Sequence, residues 1–140
     1  MYCTTADIIS RRLAEAEVIQ LTDDENTGSL DQAVVDDIIS EATELINSYV
    51  RSHYPVPLSP VPGLIRNIAV DLCVYALYQR RPHIDTPDGV VRGHKAARED
   101  LRRIQLRDIT LDVAVPAASS GAAFVGNERR LTRDSMKGLL

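Results

Sequence analysis

Apolar residues recur along this chain in two rhythms, one of three and four residues and one of two. Val35, Ile38, Ile39, Ala42, Ile46 and Tyr49 return at helical steps, with Val34, Leu45 and Val50 widening the stripe. Ser29 followed by Gln32 has the form of a capping box, which predicts where this first long helix starts. It should end near Ser52–Tyr54. A second long helix is expected from Pro62, whose missing donor suits a first turn. There Ile65, Ile68, Ala69, Leu72, Cys73, Tyr75, Ala76 and Leu77 cover much of the circumference. A helix apolar on more than one side is predicted to be central. A third runs from the turn at Asp85-Thr86-Pro87 to about Arg107, on a thin stripe of Val90 or Val91, His94, Ala97, Leu101 and Ile104. Two short helices precede these. Thr4 or Thr5 can cap the first, with Asp7 in its opening turn and Ile8, Ile9 and Leu13 as its apolar side. The second is Glu15 to Leu21.

The helical rhythm breaks at Tyr54-Pro55-Val56-Pro57-Leu58-Ser59-Pro60-Val61-Pro62, which holds four of the chain's seven prolines. Each proline fixes φ, removes a donor and pushes the residue before it out of the α region. The apolar Val56, Leu58 and Val61 predict a packed strap rather than a flexible linker. Eight residues at polyproline rise reach about 25 Å. That length lets the strap run back along the bundle, with the helices on either side pointing the same way.

After Arg107 the rhythm shortens. Ile109-Thr110-Leu111-Asp112-Val113 alternates apolar and polar, a strand signal with Ile109, Leu111 and Val113 on one side. A lone strand among helices calls for a partner in a neighbouring subunit. Residues 116–123 are a small-residue linker, and 124–140 are a polar, basic tail with isolated hydrophobes. The predicted fold is mainly α. It is a small bundle of three long helices with short N-terminal helices, one short strand and an extended C-terminal arm. The helical domain spans 1–108, and 109–140 hold the strand, linker and arm.

Charge adds an asymmetry to this outline. The net charge is −4, yet residues 1–50 hold eleven acidic and two basic residues while residues 51–140 hold nine acidic and fourteen basic ones. Two solvated faces account for this, and so does a head-to-tail contact in which one copy's acidic half meets the next copy's basic half. Fourteen of the sixteen basic residues are Arg, which suits interface ion pairs. No apolar run approaches the ~20 residues that span a bilayer, and the opening residues show no secretory pattern, so neither a membrane span nor export is expected. Cys3 and Cys73 are the only cysteines. A disulfide between them stays open on sequence alone, and the expectation is a reducing, cytosolic compartment.

Candidate chemistry is sparse. Asp23 to Val34 invites comparison with a calcium loop, with Gly28 and Asp31 in register, but Val34 stands where a bidentate Glu is needed. A capped polar loop is the expected reading, and no metal. His53, His83 and His94 fit no ligand spacing. Ser119-Ser120-Gly121 lacks the strand–turn–helix setting of a nucleophile elbow. No glycine loop cradles phosphate. The sequence predicts no catalytic site and no cofactor. The third helix carries Arg92, Lys95, Arg98, Arg102, Arg103 and Arg107, which leaves a small helical DNA-binding packaging or regulatory protein as the alternative. The acidic total weighs against that.

Four stretches resemble the head–tail connector (adaptor or head-completion) proteins of Mu-like tailed bacteriophages and prophages. They are Tyr2-Cys3-Thr4-Thr5-Ala6-Asp7-Ile8-Ile9 with Val18-Ile19-Gln20-Leu21-Thr22-Asp23; Gly28-Ser29-Leu30-Asp31-Gln32-Ala33-Val34-Val35; Tyr49-Val50-Arg51-Ser52-His53-Tyr54-Pro55-Val56-Pro57-Leu58 with Pro60-Val61-Pro62, Ile68-Ala69-Val70-Asp71-Leu72 and Arg80-Arg81-Pro82; and Leu131-Thr132-Arg133-Asp134-Ser135-Met136-Lys137-Gly138-Leu139. The resemblance implies a virion protein, assembled in the host bacterial cytoplasm, that forms a dodecameric ring of neighbouring copies beneath the portal protein. Such a ring extends the DNA channel and meets a downstream neck or tail-completion protein, and DNA passes without sequence-specific binding. No catalytic activity carries over. The family's closing motif implies a docking segment here, with Arg129, Arg130, Arg133 and Lys137 pairing carboxylates, and Leu131, Met136, Leu139 and Leu140 as apolar anchors beside Asp134. The incomplete calcium-like loop departs from relatives that carry more aspartates.

Overall fold

Residues 63–79 are apolar around nearly their whole circumference, and they form the helix against which every other helix packs. The computed structural model of the chain describes residues 1–113. It contains five helices: α1 (Thr5–Arg11), α2 (Glu15–Thr22), α3 (Gln32–Val50), α4 (Gly63–Gln79) and α5 (Asp88–Gln105). α4 touches the other four, and α3 and α5 also touch each other. Ile65, Ile68, Ala69, Val70, Leu72, Cys73, Val74, Leu77 and Tyr78 of α4 are all buried. The expectation of a central second long helix holds.

Each helix start has a visible cause. Thr4 caps α1: its Oγ accepts from the Asp7 amide at 3.2 Å, and the Asp7 carboxylate accepts the Thr4 amide at 3.0 Å. The Glu17 carboxylate accepts the Ala14 amide at the head of α2. α3 is capped by Asp31, which accepts from the amides of Ala33 and Val34. Ser29 is therefore not the cap, and Gln32 is the first helical residue. Gln32 donates instead to Thr5 Oγ and the Asp36 carboxylate, both at 2.8 Å. Pro62 and Pro87 stand at the N-caps of α4 and α5, where no amide is needed.

The three long helices alternate in direction. Cys73, in the second half of α4, lies against the carbonyl of Ile38 in the first half of α3. Tyr75 of α4 stacks on His94 of α5, ring centroids 3.8 Å apart. By contrast His53, just past α3, meets the carbonyl of Gln105 at the end of α5 at 2.8 Å. α3 and α5 thus run parallel, and α4 runs against both.

This corrects the expected course of the proline strap. The strap does not carry the chain back along the bundle, and α3 and α4 do not point the same way. Leu58 is buried, 3% exposed, and its amide donates to the Tyr2 hydroxyl at 2.9 Å. The same hydroxyl bonds the Asn47 side chain in the last turns of α3. Burial of Leu58 pulls the strap inward at the end where α3 stops, and α4 sets out from there. The Val56–Pro57 and Ser59–Pro60 bonds are cis.

The expected strand at 109–113 finds no ladder within the described subunit. No strand forms among the described residues, and 108–113 have no regular secondary structure. The alternation read from the sequence is nonetheless real. Leu111 is buried, Ile109 and Val113 are half-buried, and Thr110 and Asp112 are exposed. That apolar side packs on the chain's own core, which explains a period of two without a ladder.

Candidate docking surfaces

α5 ends in a paired motif of its last carbonyls: the Asp108 amide bonds Arg103 O at 2.8 Å and the Arg107 amide bonds Ile104 O at 3.1 Å. Glycine usually fills the left-handed position of such an ending, yet here Arg107 sits there with φ 67°. Its guanidinium Nε donates to His53 Nδ1 at 3.1 Å, and His53 Nε2 donates to the Gln105 carbonyl. A neutral His53 with its proton on Nε2 satisfies both contacts. Next to this bridge the Tyr54 hydroxyl accepts the Leu111 amide at 2.9 Å. His53, Tyr54, Arg107, Ile109, Thr110, Leu111 and Val113 enclose an open cavity of about 360 Å³. One backbone donor of the expected inter-subunit strand is thus already used within the subunit.

A larger groove, about 490 Å³, opens at the other end between α1–α2 and α4–α5. Leu13, Val74 and Val90 give it an apolar floor. Its rim is tied by Arg12, which pairs with Asp71 at 2.6 Å, and by Glu17, which accepts from the Tyr78 hydroxyl at 3.4 Å. Gly93 keeps the groove's wall close: a Cβ there would stand 3.4 Å from the Asp71 carboxylate.

The loop between α2 and α3 is held by its own side chains. Asp23 accepts from the amides of Thr27 and Gly28, at 2.9 and 2.7 Å, and these bonds hold its carboxyl below the usual carboxylate range. Gly28 has φ 80°, a conformation glycine adopts without cost. Asp24 pairs with Arg80 and Arg81 at the end of α4. Asp31, at the ninth position of the calcium-like register, caps α3. Among the described residues no three His, Cys, Asp or Glu side chains gather as a metal site would require. Cys3 and Cys73 are buried free thiols with sulfurs 3.8 Å apart. The Cys73 thiol is held above its ordinary range by its bond to Cys3 and by burial.

Charge is segregated by helix. α3 has no basic residue, and its Asp36, Asp37, Glu41 and Glu44 are all exposed. α5 exposes Arg92, Lys95, Arg98, Arg102 and Arg103. Among the described residues the only ion pair on either face is Glu99–Arg102 at 3.7 Å, within α5 itself. Arg98 lies 6.0 Å from the ring centre of Tyr49. Apart from Arg102, the outward cations of α5 and the carboxylates of α3 make no ion pair with each other or with the rest of the described subunit. The expected docking residues Arg129, Arg130, Leu131, Arg133, Asp134, Met136, Lys137 and Leu139 lie outside the described residues.

His94 sits where α3, α4 and α5 meet, stacked on Tyr75, with Nδ1 buried and unpaired among the described residues. Burial, then the nearby Arg98, holds its pKa below the ordinary 6.5. The unfolded chain therefore takes up this proton first as pH falls. Stability from a neutral His94 is complete above about pH 6.5 and is lost as pH falls through the lowered folded value. His94→Phe should flatten the fall in urea midpoint between about pH 7.5 and about pH 5.5. An unchanged slope would rule His94 out as its source.

These elements define a small, mainly α protein, built on one central helix, with acidic and basic faces on separate helices. No helix of the described residues is long and apolar enough to cross a membrane. The chain belongs to the bacteriophage Mu Gp36 family, whose family model matches residues 2–126. It is a Mu-like phage protein. No curated protein matches it.

Proposed function

We propose that this protein is a structural neck component of a tailed phage, a ring of copies beneath the portal that joins the DNA-filled head to the tail. The observation that carries this reading, beside the phage family, is the pair of oppositely charged helix faces, with no ion pair joining them within the described subunit. Two different, complementary faces make a heterologous contact, and such contacts close into rings when the rotation allows. The ring extends the DNA channel without reading sequence, and it presents a platform to the downstream neck or tail-completion protein. Residues 124–140 are the arm that reaches the portal or a neighbour. The role is structural, with no catalytic step and no cofactor, and the protein ends in the virion after assembly in the host cytoplasm.

Mixing the full chain with purified portal should give rings on electron micrographs. A chain truncated after Val125 should keep its helical circular dichroism and lose portal binding. Undiminished binding by the truncated chain would remove the docking role of the arm. The exposed cations of α5 favour one rival, a DNA-binding packaging or regulatory protein. That reading requires duplex binding that weakens steeply with salt, whereas the neck reading requires little affinity for free duplex.

A further inference from the structure

The outward faces of α3 and α5 differ in shape as well as in charge. Beside the acidic face, Ile38, Ala42 and Leu45 of α3 line a cleft of about 170 Å³ with Tyr75 of α4 and His94 of α5. Glu41 stands on its wall, and Glu44 is its neighbour on the same helix face. At the end of the basic face, Leu106 is 56% exposed. Its neighbours at helical spacing are Arg102 and Arg103. One helix therefore offers an apolar knob flanked by cations, and the other an apolar hole flanked by anions.

Resting on the ring reading above, we propose that Leu106 of one copy seats in the α3–α4–α5 cleft of the next copy, with Arg102 and Arg103 facing Glu41 and Glu44. The occupant is a second copy of this chain because both halves of the match are on one chain and each lacks its complement there. A single exposed Leu is ordinary on a protein surface. This one lies within a cationic set, and the matching cleft lies within an anionic one. An apolar anchor in a pocket, ringed by charges that exclude water, is the usual form of an interface hot spot. Knob and hole are separate parts of one chain, so the contact can repeat head to tail and close into a ring where the rotation allows. The cleft lies midway along α3 and in the first half of α5, while Leu106 follows the end of α5. Neighbouring bundles therefore engage at staggered heights, inclined to the axis of the ring.

Two variants of the full chain test this contact apart from ring closure. Leu106→Asp removes the knob and leaves the cleft; Glu41→Arg with Glu44→Arg reverses the cleft's rim and leaves the knob. Each alone should lose self-association by about tenfold or more in sedimentation, with its circular dichroism unchanged. Mixed together they should form a 1:1 pair, since one native knob still meets one native cleft. Rings from the native chain with no mixed pair would overturn the proposed contact and leave the ring reading standing. A mixed pair from a chain that makes no ring with portal would do the reverse. Folded Leu106→Asp that assembles like the native chain would also overturn the contact.

Discussion

Leu77→Ala is expected to destabilise the fold by about 2–5 kcal/mol, the cost of a large-to-small change in a closed core. Leu77 is 0% exposed on α4, the helix that all four others touch. Truncation there removes contacts from several elements at once, and no single neighbour can close the gap. Leu106→Ala removes the same atoms from a side chain that is 56% exposed, and its cost should stay within about 0.5 kcal/mol. Urea denaturation of both variants measures the contrast. The functional consequence runs the other way: Leu106→Ala should weaken self-association while Leu77→Ala acts through folding alone. Equal losses of stability at the two positions would mean that Leu106 belongs to the core and that the proposed contact has no exposed anchor.

That contrast also marks what the sequence made legible. The stripe of α3 and the all-round apolarity of α4 came from local periodicity, because burial acts on residues three and four apart. Val70, Val74 and Tyr78 were missing from the expected core of α4 only because they fall outside its main stripe, and a central helix buries those positions too. The Thr4 cap was legible because its partner, Asp7, lies three residues on. The cap of α3 was misplaced for an equally local reason. Ser29, Asp31 and Gln32 all carry capping chemistry, and which one takes the role depends on where the Asp23 loop delivers the chain.

Long-range placement was not legible. The strap's reach permitted a return along the bundle, but the burial of Leu58 decides its course, and that rests on Tyr2, far away in sequence. The alternation at 109–113 reports one buried side. A strand in a ladder and an irregular segment lying on its own core give the same pattern, and here the core supplies the cover. Leu106, the cleft beside Glu41 and the groove beside Arg12 carried no sequence signal, since an exposed Leu and a gap between helices exist only once the helices are packed. The charge asymmetry was visible as a difference between halves of the chain. Its sharper form, an acidic α3 face and a basic α5 face, required knowing which residues point outward.

Tyr2→Phe should cost about 1–3 kcal/mol, the penalty for leaving a buried polar group without its partner. The Tyr2 ring stays buried in either variant, so the change isolates one oxygen. That hydroxyl donates to the Asn47 side chain and accepts the Leu58 amide at 2.9 Å, both in the interior. It is the point where the N-terminus, the end of α3 and the proline strap are joined. Removing it strands the amide of a residue that is 3% exposed, and no water reaches that position without opening the strap. Tyr54→Phe provides the comparison, since its hydroxyl accepts the partly buried Leu111 amide at the bundle's end. Water can replace that bond, and the loss should be about 0.5–1.5 kcal/mol. Amide hydrogen exchange gives the local readout: Leu58 should lose protection in Tyr2→Phe and keep it in Tyr54→Phe. If Leu58 stays protected and the urea midpoint does not move, packing of Leu58 alone holds the strap. The hydroxyl then has no part in directing α4 back against α3, the antiparallel arrangement that brings α3 and α5 side by side.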